Sequence, residues 1–361
     1  MRPTGRLHLG NYMGALYNWV KLQNETGEDN TPAYECFFFI ADFHALTTDY
    51  ADTAGLGQNI LDVALDFLAA GLHPARSTIF RQKDVPAHFA LNDLLAMITP
   101  LSWLERVPTY KDQQEQLKEK DLATFGFLGY PLLQSADILI YRAEFVPVGQ
   151  DQAAHVEITR EIARRFNHLY GGAHAERAAA GRPDAAVAKS DKERLVELEQ
   201  RSVVREILPE PRVLLTPSPK LPGTDGRKMS KSYGNTILLS DPEAEIRGKL
   251  KTMVTDPARV RRTDPGNPEV CPVFDLHRVF SAAEVQAEAA EGCRTAGIGC
   301  IQCKGWLADG VVRHLAPIQE RRRHFEAHPE EVRAILDEGA ARARETAGQT
   351  LAQVYAAVGL E

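Results

Sequence analysis

The chain has 361 residues, enough to bury a large core and to form one large domain with a smaller one. It has no run of 18 apolar residues and no signal-peptide pattern at its start, so we expect no membrane span and a cytoplasmic location. The net charge of −7 excludes a generally basic nucleic-acid-binding protein, so any surface for nucleic acid is expected to be a local basic patch.

Short apolar runs alternate with amphipathic stretches over the first two-thirds of the chain. Apolar side chains recur at helical spacing over residues 11–23 and 58–70, and Gly71 is the expected end of the second helix. Strands are expected at residues 36–40, 77–80 and 145–148. This alternation predicts an α/β fold with a parallel sheet, in which ligands bind at the carboxyl ends of the strands.

The rest of the chain is predicted to be mostly helical. Residues 173–206 are rich in Ala, Arg, Glu and Lys and contain no aromatic residue, so we expect an exposed insertion. From about Asp241 onward helical patterns dominate, and residues 331–360 are interpreted as two amphipathic helices that close the fold.

The first chemical motif lies at residues 3–11. His8 and Gly10 follow a glycine-containing turn and precede an amphipathic helix, which directs backbone N–H groups at an anion. Thr4, His8 and Asn11 offer hydrogen-bond donors to phosphate oxygens. Gly10 lacks a side chain, so an adenine ring can lie flat on the backbone there.

The second motif is the glycine-flanked loop at residues 221–235, which contains Lys228-Met229-Ser230-Lys231-Ser232. Lys228 and Lys231 are expected to close onto the β- and γ-phosphates as pyrophosphate leaves, because positive charge there lowers the barrier. The alternative is a solvated basic turn.

Together the two motifs resemble the two signatures of the class I aminoacyl-tRNA synthetases. Between them, residues 42–47, 130–141 and 146–160 resemble segments of the tryptophan-specific enzymes and follow the same order. The resemblance covers nearly the whole chain apart from residues 173–206.

This resemblance implies a Rossmann-like catalytic domain over residues 1–240 and a helical anticodon-binding domain over 241–326, with 327–361 packing back on the first. It implies activation of L-tryptophan with ATP to the adenylate and pyrophosphate, followed by transfer to the 3' end of tRNA(Trp). A homodimer and Mg²⁺ on the phosphates are also implied. In-line attack on the α-phosphate needs positioning and charge and no general base.

The resemblance also assigns roles to individual residues. The catalytic groups would be His8, Asn11, Lys228, Ser230 and Lys231. ATP would be bound by these residues together with Thr4, Gly5, Gly10, Gly149, Asp151, Met229 and Ser232, of which Gly149 and Asp151 would face the ribose.

Four further residues would bind tryptophan. Asp137 would accept the indole N–H, which can only donate. Tyr130 and Gln152 would hold the ammonium group. His44 would line the ring pocket, although it could equally be a buried core histidine.

Two departures from the family are visible. Gln150 stands where the family usually has Glu, and we expect altered affinity there. The family also begins with a short strand before the first motif, whereas Met1 lies next to that motif here, so an unfilled sheet position and an unstable protein are expected if the strand is lost.

The chain has five cysteines. Cys36 lies in an apolar run and is interpreted as a core residue. Four others, in a chain expected to be cytosolic, suggest a metal site: Cys271, Cys293, Cys300 and Cys303.

The four-cysteine spacing does not match the paired knuckles usual for structural zinc. Some members of the family carry a 4Fe–4S cluster on a similar arrangement, although the gap between Cys271 and Cys293 is one residue shorter here. Iron–sulfur is therefore favoured over zinc, with unligated thiols as the third alternative. The cluster would lie in the region that meets the tRNA anticodon, where Arg259, Arg261 and Arg262 would contact phosphates or bases.

Two other functions remain open from the sequence. The tyrosine-specific enzyme shares the architecture but needs a hydrogen-bonding network for a phenol. A non-catalytic paralogue that binds nucleotide or senses redox state would have no need of the Lys228–Ser232 loop.

Overall fold

The structure is a computed structural model that describes residues 1–107, 123–171, 206–215 and 221–360, with Asp151 described only by its backbone. Its helices and strands, in chain order, are α1 (Leu9–Asn11), α2 (Tyr17–Asn24), β1 (Cys36–Ile40), α3 (Asp42–Asp49), α4 (Leu56–Ala70), β2 (Ser77–Arg81), α5 (Ala87–Ala96), α6 (Leu101–Glu105), α7 (Phe125–Leu139), β3 (Phe145–Val148), α8 (Ala153–Tyr170), β4 (Arg212–Leu215), α9 (Glu243–Thr252), α10 (Pro272–Phe280), α11 (Ala283–Arg294), α12 (Cys300–Ala327) and α13 (Pro329–Val358). No helix in the described part of the chain is long and apolar enough to cross a bilayer.

The chain divides into two compact units. The first unit comprises Met1–Ile40, Ala54–Ile79 and Thr216–Asp337. The second unit comprises Ala41–Thr53, Phe80–Leu215 and Glu338–Glu361.

The first unit is built around α4, which packs on β1 and on the long helix α12. Residues 62–70 of α4 are all buried, so this helix is the centre of the core and has no solvated face there. Trp19 stacks on Phe38 of β1 with ring centroids 5.1 Å apart. The first-motif segment lies beside this core, and the Met1 amine donates to the Phe39 carbonyl oxygen at 2.7 Å.

The second unit is a helical layer with a short parallel sheet. Helix α7 packs between α5 and α8, and α3 packs on α7. Strands β3 and β4 pair in parallel, with Phe145 opposite Arg212 and Val148 opposite Leu215. The end of α13 belongs to this unit, where Arg344 donates to the Asp84 carbonyl oxygen at 2.9 Å.

Most predicted elements are confirmed. The strands at 36–40 and 145–148 have the predicted bounds, and β2 extends one residue beyond the predicted 77–80. Helix α4 ends at Ala70, and Gly71 stops it as predicted. Gly71 adopts a left-handed backbone conformation with φ of 115°. The predicted helix at 11–23 is present with one addition, because residues Tyr12–Leu16 form a π-helical turn between α1 and α2.

The prediction of two C-terminal helices is wrong. Residues Pro329–Val358 form one continuous helix of 30 residues. The segment is rich in Ala, Arg and Glu and contains no internal proline, so nothing in it forces the helix to end. The predicted insertion at 173–206 lies almost wholly outside the described residues.

Candidate active site

The backbone of the first unit joins the two motifs directly. Residues 7–9 run antiparallel to residues 237–239, which follow the second motif. The Leu9 N–H donates to the Ile237 carbonyl and the Leu239 N–H donates to the Leu7 carbonyl, each at 2.9 Å. Two segments far apart in the sequence are thereby fixed side by side, as expected of two parts of one site.

His8 begins the helix of the first motif and is held in one orientation. Its Nδ1 accepts the Asn11 backbone N–H at 3.2 Å, and the Asn11 side-chain oxygen accepts the His8 N–H at 3.2 Å. Burial, with the charges of Lys231 and Lys228, lowers the pKa of His8 to about 4. The imidazole is therefore neutral at pH 7, with its proton on Nε2 available to a ligand. A β-carbon at Gly10 would lie 3.0 Å from the His8 ring, so any larger residue there would press on that ring.

The pKa of His8 predicts a pH-dependent stability. Because its folded-state pKa lies near 4, below the value of 6.5 for an unperturbed histidine, the neutral side chain contributes stability that is present above pH 6.5. That contribution is lost as pH falls from 6.5 toward 4. We expect the difference in free energy of unfolding between wild type and His8→Asn to fall by up to about 1.4 kcal/mol per pH unit in this window. Urea denaturation measures it.

The His8→Asn variant is a suitable comparison because asparagine retains an acceptor for the Asn11 N–H without titrating. At pH 8 both side chains are neutral, which gives the reference point. A difference between the two proteins that does not change with pH would contradict the assignment.

The second-motif loop is anchored to the first motif through Lys231. Its Nζ donates to the carbonyl oxygens of Thr4 at 3.0 Å and Gly5 at 2.8 Å. Burial lowers the pKa of Lys231 to about 8, against the opposing charges of Asp66 and Asp62. The ammonium therefore remains largely charged at pH 7.

The other loop residues differ in exposure. Met229 is buried beneath the loop, whereas Lys228 and Ser232 are exposed. Ser230 is half-buried and begins the short 3₁₀ turn Lys231–Tyr233. Of the two lysines in this loop, Lys231 is anchored to the first motif and Lys228 is exposed to solvent.

Asn235 organises this loop, although no motif in the sequence points to it. Its side chain is 2% exposed and accepts the Ser230 N–H at 2.8 Å. Its amide donates to Asp225 at 2.7 Å and to the Lys228 carbonyl at 3.2 Å. Asparagine side chains often bond nearby backbone in turns, but that general tendency does not predict these partners.

Gly223 is required by the same packing. A β-carbon at this position would lie 2.3 Å from the Asn235 amide. We therefore expect Gly223→Ala to displace the loop, to destabilise the protein by about 1–3 kcal/mol and to lower the rate of the amino-acid activation that the resemblance implies. Thermal denaturation and pyrophosphate exchange measure the two effects.

Gly248 of α9 is the matched control. A β-carbon there would meet nothing within 4 Å, so Gly248→Ala is expected to stabilise the helix by about 0.5–1 kcal/mol and to leave activity unchanged. Equal behaviour of the two alanine variants would contradict the role assigned to Gly223.

A buried ion-pair network supports the first motif and was also not predicted. Asp66 accepts the Leu7 N–H at 2.7 Å and pairs with Arg322, which also pairs with Asp62 at 2.9 Å. Burial raises the pKa of Asp66 to about 6 despite the Arg322 charge. The network ties the first motif to α4 and α12, and the two carboxylates are thereby committed to structure.

In the second unit Asp137 is the centre of a buried polar cluster. This carboxylate is 4% exposed and accepts three side-chain hydrogen bonds. The donors are His44 Nε2 at 2.9 Å, His88 Nδ1 at 2.6 Å and Gln82 Nε2 at 2.8 Å. Burial opposes ionisation, but the hydrogen bonds from His44 and His88 hold the pKa of Asp137 well below its usual range. The carboxylate is therefore charged and can only accept.

Two features leave this cluster able to bind a further donor. His88 and Gln82 both bond Oδ1 of Asp137, whereas Oδ2 receives only the His44 bond among the described residues. A carboxylate oxygen has two acceptor positions. The buried Oε1 atom of Gln82 also has no hydrogen-bond partner in the described part of the chain. Neither His88 nor Gln82 was predicted, because only the tertiary fold brings them to Asp137.

The other predicted residues of this unit lie on two neighbouring elements. The Tyr130 hydroxyl on α7 bonds His155 Nε2 at 3.1 Å, and His155 Nδ1 bonds Gln134 at 3.0 Å. Gly149 precedes the 3₁₀ turn Gln150–Gln152, which leads into α8, and the Gln152 N–H at its end donates to the Gly149 carbonyl at 3.0 Å. The role predicted for the Asp151 side chain lies outside the described residues.

The four predicted ligand cysteines, all in the first unit, lie near one another. Burial and the neighbouring thiols of Cys271, Cys293 and Cys300 raise the pKa of Cys303 to about 12. Among the described residues no three of these sulfur atoms lie within 4.8 Å of one another. Tetrahedral zinc holds its sulfurs about 3.8 Å apart, so the donor set is compatible with a larger thiolate-bound group and fits zinc less well.

Arg259 does not face solvent as expected. It is 8% exposed and donates to Cys293 Sγ at 3.8 Å and to the Ile298 carbonyl at 2.6 Å. These hydrogen bonds hold its guanidinium in the cysteine region, although the residue also borders the cavity that Arg261 and Arg262 line. Arg261 and Arg262 are exposed and line a cavity of about 640 Å³ together with Cys300.

Residues 1–316 match the family described as tRNA synthetases class I (W and Y). The chain is 49% identical to the tryptophan–tRNA ligase of Ralstonia nicotianae, covering 100% of this chain and 97% of that protein. It is 48% identical to the tryptophan–tRNA ligase of Thermotoga maritima, covering 100% and 98% respectively.

The chain belongs to the class I tryptophan–tRNA ligases. A solved structure of tryptophanyl-tRNA synthetase from Campylobacter jejuni, complexed with ADP and tryptophan, superposes with a TM-score of 0.80. Its sequence identity is 31%, and the alignment covers 99% of this chain and 98% of that one. The expected class I fold, α/β with a parallel sheet and a helical C-terminal part, is confirmed.

Proposed function

We infer that this chain activates L-tryptophan with ATP, releasing pyrophosphate, and then transfers tryptophan to tRNA(Trp). The observation that carries this inference is the buried, ionised Asp137 with an acceptor position left on Oδ2, in a chain that pairs both class I motifs. It is an ATP-dependent aminoacyl-tRNA synthetase.

We propose that the residues of the two motifs bind the triphosphate. Neutral His8 offers an Nε2–H, and the Asn11 amide offers a second donor. Lys231 uses two of its three N–H groups on Thr4 and Gly5 and retains one for an oxygen of the leaving group. Lys228, with Ser230 and Ser232 beside it, adds charge that stabilises the departing pyrophosphate.

Mg²⁺ is proposed to arrive with the phosphates, since pyrophosphate oxygens and water can supply most of its ligands. The nearby carboxylates of Asp62 and Asp66 are committed to Arg322 and are not offered as a cage. The ion would neutralise phosphate charge during the displacement.

Tryptophan is proposed to place its indole N–H on Oδ2 of Asp137. An indole donates and never accepts, so a carboxylate surrounded by donors suits it. The N–H groups that His44, His88 and Gln82 direct at Asp137 are already used there. The hydroxyl group of tyrosine both donates and accepts, so it would also need a hydrogen-bond donor beside Asp137. We therefore favour tryptophan over tyrosine.

The remaining assignments follow the family by position. Tyr130 and Gln152 are proposed to hold the ammonium group, and Gly149 with Asp151 the ribose. His44 is proposed to line the ring pocket, and its bond to Asp137 holds it there.

The test of the function is aminoacylation of two transcripts, tRNA(Trp) and tRNA(Tyr), each offered tryptophan and tyrosine. We expect charging of tRNA(Trp) with tryptophan alone. Charging with tyrosine would overturn the specificity, and adenylate formation without charging would overturn the transfer step.

We further propose that Cys271, Cys293, Cys300 and Cys303 bind a 4Fe–4S cluster through four thiolates. The thiolate donor set and its spread support this. Bound there, the cluster would cross-link the segment before α10 with α11 and the start of α12.

Iron, sulfide and zinc analysis of anaerobically purified protein tests this proposal. We expect about four irons and four sulfides per chain, lost in Cys293→Ser and retained in Cys36→Ala, whose thiol lies in β1. One zinc per chain that is lost in Cys293→Ser, or four free thiols in the wild type, would overturn the iron–sulfur assignment.

The partners of the helical region are proposed from its exposed basic groups. Arg261 and Arg262 are placed to meet anticodon phosphates or bases beside the cavity they line. Residues 241–326 are proposed as the anticodon-binding domain and the whole chain as a homodimer. Light scattering of the purified protein measures the oligomeric state, and a monomer would contradict the proposed homodimer.

A further inference from the structure

Three potential metal ligands meet at the corner between α12 and α13, apart from the sites above. Helix α12 ends at Ala327 and α13 begins at Pro329, with His328 alone between them. This corner brings together His324, His328 and Glu331, each of which offers one ligand atom within 4.8 Å of the others. All three side chains are exposed, so an ion can reach them from solvent.

The hydrogen bonds at this corner leave nitrogen lone pairs available. His328 Nδ1 bonds the His324 carbonyl oxygen at 2.7 Å. A carbonyl only accepts, so Nδ1 carries the proton and Nε2 keeps its lone pair. Metal-ligating histidines usually have this arrangement, because the second hydrogen bond fixes the tautomer and the ring.

The other two groups face each other directly. His324 Nε2 lies 3.0 Å from Glu331 Oε2, and the His324 and His328 ring centroids are 4.6 Å apart. A surface hydrogen bond between His324 and Glu331 accounts for that pair alone. It does not account for the second imidazole beside them.

We propose that His324, His328 and Glu331 bind a divalent transition-metal ion of the zinc class. Two imidazoles and one carboxylate suit zinc, nickel and copper, whereas magnesium and calcium prefer oxygen ligands. Three protein ligands leave one position of a tetrahedral ion for water. The bound ion ties the end of α12 to the first turn of α13.

Isothermal titration calorimetry of the full-length protein with ZnCl₂ tests the proposal. His328→Gln and Glu331→Gln are each expected to weaken zinc binding at this site at least about tenfold, because each removes one ligand. His168→Gln is the control, since it also removes an exposed helical histidine but lies on α8. MgCl₂ in place of ZnCl₂ is expected to produce no binding here.

Cobalt spectra separate this site from the cysteines. Cobalt bound through nitrogen and oxygen lacks the intense sulfur-to-metal absorption that thiolate ligands produce. We expect a visible cobalt spectrum without that absorption, lost in His328→Gln and kept in His168→Gln. Unchanged zinc affinity in His328→Gln and Glu331→Gln, or a cobalt spectrum of thiolate character alone, would overturn the proposal.

Discussion

Replacing Lys228 by alanine is expected to lower kcat for tryptophan-dependent ATP–pyrophosphate exchange about 10²–10³-fold while the tryptophan Kd stays unchanged. Lys228 is exposed, so its removal leaves no unfilled core. Its charge is close enough to lower the pKa of His8, which places it beside the first motif. A group that acts on the departing pyrophosphate stabilises the transition state and leaves binding of the amino acid unaffected.

Lys251→Ala is the control for this variant. Lys251 is an exposed lysine on α9 and lies outside both motifs. Its removal changes the net charge equally and is expected to leave kcat unchanged. If Lys228→Ala weakened tryptophan binding as strongly as it slowed exchange, the role assigned to the lysine would be wrong.

The second large effect concerns the indole N–H. We expect wild-type protein to prefer tryptophan over β-(benzothiophen-3-yl)alanine, in which sulfur replaces that N–H, by about 10⁴-fold in kcat/KM. Without the donor, the buried charge of Asp137 would face sulfur and lose a hydrogen bond. Pyrophosphate exchange with each amino acid measures the ratio.

In Asp137→Asn the same ratio is expected to fall to about tenfold, because an amide carries no charge to leave unpaired. In the asparagine side chain an NH₂ group replaces one acceptor oxygen and faces the donors of His44 or of His88 and Gln82, which is expected to cost about 1–3 kcal/mol of stability. The ratio of two substrates in one protein does not depend on how much of it is folded. Asp93→Asn, at an exposed position on α5, is the control. An unchanged ratio in Asp137→Asn would show that the indole N–H does not meet this carboxylate.

Local sequence rules predicted the elements whose signals are local. Helix α4 has an apolar pattern and a glycine stop, and β1 is a short apolar run, so both were predicted closely. The two C-terminal helices were predicted wrongly because the amphipathic pattern of residues 331–360 was interpreted as two stretches. In the structure that segment is one continuous helix, because it is rich in residues with high helix propensity and has no internal proline.

The site was predicted less completely than the fold. Motif resemblance pointed to His8, Lys231 and Asp137, but their partners come from distant segments of the chain. No sequence pattern links Asn235 or the Arg322 network to the motifs that they support. Their polar groups must form hydrogen bonds because the tertiary fold buries them, and the sequence alone does not show which residues are buried together. Arg259 was expected to contact phosphates or bases, yet its side chain is buried and donates to Cys293 Sγ.

Amino-acid-dependent ATP–pyrophosphate exchange, with tryptophan and tyrosine side by side, tests the central claim most directly. Exchange driven by tryptophan alone is the predicted result, because activation requires the paired motifs and selection requires the Asp137 acceptor. Exchange driven by tyrosine, or no exchange with either amino acid, would contradict it.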